Sequence, residues 1–257
     1  MRYYRTNAIY KSINEQNLGI FLAPKGNSWF LVYGDSSCAP KVIVFVYGSS
    51  ISCDFDYLER AKNGLSYLSL QQGIPFVTLS FDDSIEEVTS VTLVDGERAG
   101  EIPLNDLKTY FSKLGLSVKS GLCKKAINDA RSSAYHGWQR ENLGSIVVAD
   151  IDLIRLGEDS NPIEIIELKR SYIPLSQWTP FRADYANFNL LSNLTIKNTC
   201  FFIILYNLRT KSPWFDDPSS VTLFKYYQSK GAEKIGQYAF EDFVAGKYLN
   251  VDKGGRE

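Results

Sequence analysis

Two acidic side chains and one lysine in the second half of the chain have the types and spacing for metal-assisted hydrolysis of a phosphodiester. Asp152 lies in the β-rich run GSIVVADIDLIRLG, and Glu167 and Lys169 lie in a second such run, NPIEIIELKRS. Successive side chains of a strand alternate between its faces, so Glu167 and Lys169 share one face. Paired carboxylates suit Mg²⁺, which prefers oxygen ligands. An ammonium beside a bound metal can orient the attacking water and stabilise charge in the transition state.

The charged turn EDSNP separates these two runs, which predicts a β-hairpin over residues 144–171. Asp150 and Asp152 are expected on one face of the first strand. The hairpin would bring these acids opposite Glu167 in an otherwise apolar sheet. Burial there is costly unless the charges are paired or bind a metal.

Further predicted elements flank the hairpin. The run SGLCKKAINDARSSAYHGW predicts a helix at about 120–137, before the hairpin. After the hairpin, a helix is expected at 183–195. The nearly continuous apolar run at 200–208 is typical of a strand covered on both faces. The C-terminal half is therefore expected to be an α/β unit built around the hairpin.

This order of elements, with Asp in one strand and Glu-Leu-Lys in the next, resembles the PD-(D/E)XK nuclease superfamily, which includes restriction endonucleases and recombination nucleases. The resemblance covers roughly residues 120–208. It rests on Asp152, which is followed by Leu and Ile as in that family, and on the tripeptide Glu167-Leu168-Lys169, which follows an aliphatic run.

The resemblance implies an α/β fold whose C-terminal half is a restriction-endonuclease-like mixed sheet flanked by helices. Asp152 and Glu167 would bind Mg²⁺, for which Mn²⁺ is an expected substitute, and the backbone carbonyl of Leu168 would add a ligand. Lys169 would serve the attacking water, and Asp150 would be a second acid near the metal or an alternative ligand. The family usually has a further strand before the Asp strand. One long bent strand or the N-terminal half would have to supply it here.

The tripeptide alone carries little information, because Asp106-Leu107-Lys108 matches it within a predicted helix at 103–115. Many members of the family also use a Glu on the first helix as a metal ligand. The helix predicted at 120–137 contains only Asp129 as an acid, and Glu141 lies beyond it. Neither is assigned a role.

Composition restricts the possible partners. The chain has 257 residues and a formal net charge of −1, so any nucleic-acid contact must be local rather than a matter of bulk charge. DNA is the expected substrate. The residues predicted to contact it, because they lie around the motif, are Arg140, Arg170, Gln177 and Arg182.

Other sites are excluded or disfavoured. The single histidine, His136, rules out zinc sites built from several imidazoles and is expected to be structural. The four cysteines show no C-x-x-C pair and are read as reduced thiols. Neither a phosphate loop of the G-x-x-x-x-G-K-[ST] type nor a G-x-G-x-x-G sequence is present. Without an apolar run of membrane-spanning or signal-peptide length, a soluble cytoplasmic protein is predicted, with no membrane association.

Two units are predicted: an N-terminal mixed α/β unit at 1–116, for substrate selection or dimerisation, and a nuclease-like domain at 117–257. The first hypothesis is a metal-dependent endonuclease acting on DNA in restriction or genome defence, as a homodimer that matches the two-fold symmetry of its substrate. The second is an inactive nucleic-acid-binding or assembly subunit that keeps the fold. The sequence leaves open the DNA sequence recognised, RNA as a substrate, exonuclease action and an activating protein partner.

Overall fold

The computed structural model describes residues 7–249 apart from residues 97, 120, 122–132, 196, 198–199 and 212–213. These residues form a mixed α/β fold. The helices are α1 (Ala8–Glu15), α2 (Phe55–Gln72), α3 (Leu104–Lys113), α4 (Ala134–Asn142), α5 (Tyr185–Thr195) and α6 (Phe240–Val244). The strands are β1 (Phe21–Leu22), β2 (Ser28–Gly34), β3 (Pro40–Gly48), β4 (Phe76–Phe81), β5 (Ser90–Asp95), β6 (Arg98–Pro103), β7 (Val147–Asp150), β8 (Leu153–Leu156), β9 (Pro162–Ser171), β10 (Phe201–Lys211), β11 (Trp214–Tyr227) and β12 (Gly231–Ala239).

The strands form two mixed sheets of six. Sheet A has the order β1-β8-β9-β10-β11-β12, and sheet B has the order β6-β5-β4-β3-β2-β7. In sheet A, β9 and β10 are parallel, and in sheet B, β3 and β4 are parallel. The connection between β9 and β10 contains α5, and the connection between β3 and β4 contains α2. Both parallel pairs thus have the helical crossover that parallel strands require.

The predicted hairpin exists as the antiparallel pair β8 and β9, in which Leu153 lies opposite Ile166. The helix and the apolar strand expected after it are confirmed as α5 and β10. In the parallel pairing, Glu167 is matched with Ile204 and Lys169 with Tyr206. The strand that carries the Glu-Leu-Lys tripeptide is therefore central in sheet A.

The first strand of the hairpin is shorter than expected, and the prediction that Asp150 and Asp152 share one of its faces is wrong. The run 144–157 divides between the sheets: β7 pairs with β2 of sheet B, and β8 belongs to sheet A. Ile151 between them is buried, and its N–H donates to the Phe30 carbonyl. Side chains alternate regularly only within one continuous strand, and here the chain passes from one sheet to the other.

Only residue 121 and residues 133–137 of the helix expected at 120–137 lie among the described residues, and residues 134–137 are helical. Residues 122–132, with Asp129, lie outside the described residues, and α4 runs from Ala134 to Asn142. Ser133 caps α4, since its Oγ accepts from the His136 N–H. The helix therefore extends to Asn142, five residues beyond the predicted end.

The N-terminal half follows the sequence pattern more closely. Asp54 caps α2 by accepting from the Tyr57 N–H, and Gly73 ends α2 with a φ of 72°, which glycine adopts without strain. The strands β2 and β3 form an antiparallel pair, as short β-rich runs separated by turn residues indicate. The preceding strand β1 pairs instead with β8 in sheet A.

Helices α2 and α5 contact strands of both sheets and share one core cluster with them. A second cluster lies on the other face of sheet B with α3 and α4, and a third lies on the other face of sheet A with α1 and α6. Each sheet also takes one strand from the other side of residue 116: sheet A takes β1 from the N-terminal part, and sheet B takes β7 from the C-terminal part. The boundary between 1–116 and 117–257 therefore does not separate the sheets, and independent folding of the two parts stays a prediction.

No helix within the described ranges is long and apolar enough to cross a membrane. Cys38, Cys53 and Cys200 are free thiols, as expected. Cys38 and Cys200 are buried and Cys53 is exposed, while Cys123 lies outside the described residues.

Candidate active site

The hairpin brings the three predicted catalytic side chains together. Asp152 lies immediately before β8, and its Oδ2 accepts a hydrogen bond of 2.8 Å from the Leu168 N–H. On β9, Lys169 Nζ lies 2.9 Å from Glu167 Oε1, and Glu167 is buried. The shared strand face predicted for Glu167 and Lys169 therefore places their charges in contact. The Leu168 N–H fixes Asp152 beside them.

Lys169 has a second acidic partner that the sequence analysis missed. Its Nζ lies 3.4 Å from Asp184 Oδ2, and 5.4 Å from the centre of the Phe188 ring. Asp184 belongs to a 3₁₀ turn, Arg182–Asp184, that leads into α5. The ammonium is thus held between carboxylates from two different elements. The side chains of Lys169 and Asp184 are 23% and 30% exposed, so this part of the cluster opens to solvent.

One sequence signal points to Asp184: it is the only acidic residue in residues 170–195. A carboxylate at the start of a helix is also common because the helix dipole stabilises it there, so its type and position alone do not indicate a role. Only the crossover of α5 above β9 brings it to Lys169.

The cluster contains more negative charge from its carboxylates than the ammonium of Lys169 neutralises. Burial, and next the charge of Glu167, raise the pKa of Asp152 to about 7, although the Leu168 N–H and the Lys169 charge oppose this. Burial by itself would lower the pKa of Lys169, but the charges of Glu167 and Asp184 raise it above its usual value. Lys169 therefore stays protonated at neutral pH, and the Asp152 carboxylate would gain from a further cation.

The residues fit a magnesium ion in charge and in donor chemistry. Asp152, Glu167 and Asp184 with Lys169 amount to three carboxylates and one ammonium, a formal charge of −2 when all are ionised. All the acidic donors are oxygens, which Mg²⁺ prefers, and it keeps several waters where the protein supplies few ligands. Among the described residues, no group of three or more His, Cys, Asp or Glu side chains is arranged to hold a metal. Asp152 and Glu167 would be the ligands.

The other two predicted ligands differ in position. Asp150 lies at the end of β7 in sheet B, where it pairs with Leu31, and its charge contributes to the raised pKa of Asp152. It is an electrostatic neighbour on a different sheet. The Leu168 residue is in place between the two motif residues, and the role of its carbonyl stays a prediction.

The four residues predicted to contact DNA divide into two pairs. Gln177 and Arg182 are exposed on the segment between β9 and α5, next to Asp184. Arg170 pairs with Asn207 and so points to the opposite face of β9 from Lys169, where it forms an ion pair with Asp216. Arg140 is half-buried on α4, which packs on the far face of sheet B. Only the first pair lies at the candidate site.

His136 has a structural setting, as expected. Its Nδ1 lies 3.0 Å from Ser133 Oγ, and its ring packs edge-on against Trp29 with centroids 4.6 Å apart. Both contacts belong to α4 and sheet B.

Comparison with known proteins adds no functional information. No family model matches the chain, and no curated protein matches it significantly. Among solved structures, the sex pheromone precursor from Lactobacillus salivarius subsp. salivarius UCC118 is 10% identical, with 77% of this chain and 61% of that chain covered and a TM-score of 0.18. A likeness this weak carries no argument.

Proposed function

We propose that the protein is a metal-dependent endonuclease that hydrolyses phosphodiester bonds of DNA. The observation that carries the proposal is the ammonium of Lys169, which lies 2.9 Å from Glu167 on the strand paired with that of Asp152. The choice of DNA follows from the resemblance to PD-(D/E)XK nucleases. A role in restriction or genome defence, a homodimer, an activating partner and a cytoplasmic location stay predictions.

Each side chain has a distinct task in this proposal. Asp152 and Glu167 would hold Mg²⁺, which when bound polarises a phosphoryl oxygen and lowers the pKa of a coordinated water. The Leu168 N–H keeps the Asp152 carboxylate oriented. Lys169 carries a fixed positive charge for the transition state. Asp184, with its Oδ2 3.4 Å from Lys169 Nζ, would give that ammonium a second carboxylate partner and so keep it in place.

The order of elements in sheet A supports a restriction-endonuclease-like fold. In the resemblance, a helix and a further strand precede the Asp strand. Here α1 precedes β1, and β1 pairs antiparallel with β8. Tyr10 on α1 also donates from its hydroxyl to the Asp152 carbonyl, over 3.0 Å. In this proposal, residues 8–22 would supply the helix and the further strand, and residues 23–151 would be a long insertion between β1 and the segment that carries Asp152.

One observation favours the second candidate, an inactive nucleic-acid-binding or assembly subunit with the same fold. Lys169 by itself neutralises Glu167, and a buried acid with a paired lysine needs no metal to be stable. In that case the cluster would serve the structure alone, and divalent metals would leave the chain unchanged.

A cleavage assay separates the two. Supercoiled, linear and single-stranded DNA would be incubated with the full chain in Mg²⁺, in Mn²⁺ and in EDTA, with Lys169→Ala as the control for contaminating nuclease. Metal-dependent cleavage that is lost in Lys169→Ala is expected. DNA binding without cleavage by either protein would instead support the binding subunit. A crystal soaked in Mn²⁺ should show the ion between Asp152 and Glu167.

A further inference from the structure

An exposed aromatic ring stands at the rim of the candidate site. Phe181 is 51% exposed and begins the 3₁₀ turn that carries Asp184. Its carbonyl accepts from the Asp184 N–H over 3.0 Å, and Asp184 in turn contacts Lys169. Phe181 thus lies within one turn of chain from a residue that touches the proposed catalytic ammonium.

The ring is held in place by a column of aromatic contacts. Phe181 packs edge-on against Trp178, with centroids 6.1 Å apart, and Trp178 stacks on Tyr206 at 4.2 Å with the rings only 3° from parallel. The Tyr206 hydroxyl donates to the Ile173 carbonyl, and Tyr206 is the register partner of Lys169. Because Trp178 is buried, Phe181 is the member of the column that presents its surface to solvent.

The chemistry around the ring favours a nucleotide. Residues 170–183 contain two arginines and no acid. Arg170 is engaged by Asp216 on the other face of the sheet. Arg182 directly follows Phe181 in sequence, Gln177 directly precedes Trp178, and both are exposed. An aromatic face with a guanidinium and an amide beside it is the combination that binds a base and its phosphate.

The more exposed Phe55 has the opposite surroundings. It is 73% exposed at the start of α2, between Asp54 and Asp56. Two flanking carboxylates disfavour a polyanion. Exposure of a phenylalanine alone therefore does not indicate DNA binding. Phe55 is a matched control for Phe181.

We propose that Phe181 stacks on an unpaired base next to the phosphodiester at the site, so that the site takes single-stranded DNA or single-stranded regions of a duplex. This inference rests on the proposed nuclease function. In a continuous duplex the base faces are covered by their neighbours, so an aromatic platform gains contact area only with bases that are already unstacked.

The test is equilibrium binding of fluorescein-labelled single-stranded and duplex DNA of one sequence, in EDTA so that cleavage does not interfere. The parent is expected to prefer the single strand. Phe181→Ala should weaken single-strand binding about 10-fold or more, the scale of one lost base stack, and leave duplex binding unchanged. Phe181→Trp should restore it, and Phe55→Ala should behave as the parent.

Equal single-strand affinities of Phe181→Ala and the parent would overturn the inference, and so would an equal loss on both substrates. Cleavage by the parent and by Lys169→Ala in Mg²⁺, measured on the same DNA, reports on the proposed function separately. If Phe181→Ala selectively loses single-strand binding but the parent does not cleave DNA, the stacking role of Phe181 is supported and the nuclease function is rejected. If the parent cleaves DNA but Phe181→Ala binds single strands as the parent does, the nuclease function is supported and the stacking role is rejected.

Discussion

The chain contains the same acid-Leu-Lys pattern twice, in two different secondary structures. In Glu167-Leu168-Lys169 on β9, the acid and the lysine lie on one strand face, and their charged atoms are 2.9 Å apart. In Asp106-Leu107-Lys108 on α3, Leu107 is buried against the sheet B core and Asp106 is exposed. Residues two apart on a helix do not face each other. Helical geometry therefore separates what strand geometry brings together.

The difference shows that a short motif becomes a site only through the element that carries it and through what packs above it. On β9, the neighbouring strand adds Asp152 and the crossover helix adds Asp184. On α3, the three residues lie at the edge of a hydrophobic core. The tripeptide on α3 is a natural control for each statement about the one on β9.

The largest contrast is expected from the acids. Asp152→Asn and Glu167→Gln should each abolish metal-dependent DNA cleavage, because each removes a charged ligand from a site with few ligands. Asp106→Asn should leave the cleavage rate unchanged. The measurement is the cleavage rate in Mg²⁺, with circular dichroism to show that each variant is folded. Parent-like cleavage by Asp152→Asn or Glu167→Gln would remove that residue from the site.

The lysines come next. Lys169→Ala should lower the single-turnover cleavage rate by about 10²–10³, the usual scale for a lost preorganised charge, and should leave substrate binding nearly unchanged. Lys108→Ala should alter neither quantity. Rates would be measured at saturating enzyme. If both alanine variants cleave at the parent rate, Lys169 has no part in the mechanism. The main reason for preferring an active nuclease to a binding subunit is then lost.

The local sequence pattern was sufficient to predict single strands and helices and the faces on which their side chains lie. The pairing of Glu167 with Lys169 and the hairpin with β8 follow from alternation and a turn, which are short-range properties. The helix α3 follows from the proline at its start, its apolar spacing and the glycine beyond its end. These features depend on neighbours in sequence, so the sequence contains them.

Long-range partners could not be read in the same way. The passage from β7 to β8 moves Asp150 into another sheet, and the β-rich run at 147–156 contains no glycine or proline that would indicate the break. The pairing of β1 with β8 joins residues more than a hundred positions apart. The contact of Asp184 with Lys169 depends on how α5 crosses the sheet. Each of these is decided by the packing of whole elements.

A smaller effect is expected at Asp184, which positions Lys169 and is not placed on the substrate. Asp184→Asn should lower kcat about tenfold with little change in KM, since Lys169 keeps Glu167 as a partner but loses its second anchor. Asp184→Glu should recover part of kcat. Steady-state kinetics of both variants, beside Asp106→Asn, measure this. A change in KM alone would place Asp184 in substrate binding instead.

The smallest effect concerns the stability of the metal-free chain. Folding raises the pKa of Asp152 from 3.8 to about 7, mainly through burial and the Glu167 charge, so the ionised carboxyl destabilises the folded state. Below about pH 4 the group is protonated in both states and this penalty is absent. The penalty grows as the pH rises from about 4 to about 7, because the unfolded chain releases this proton first.

Asp152→Asn should therefore be more stable than the parent in EDTA at about pH 8, by about 1–2 kcal/mol after allowance for partial exposure, and equal to it near pH 4. Denaturant unfolding at the two pH values measures the difference, and Asp106→Asn should follow the parent at both. Adding Mg²⁺ at the higher pH should stabilise the parent and not Asp152→Asn, because only the parent keeps both ligands. A stability difference that does not depend on pH would show that the carboxyl is not under electrostatic strain, and the charge argument for a cation at this site would fail with it.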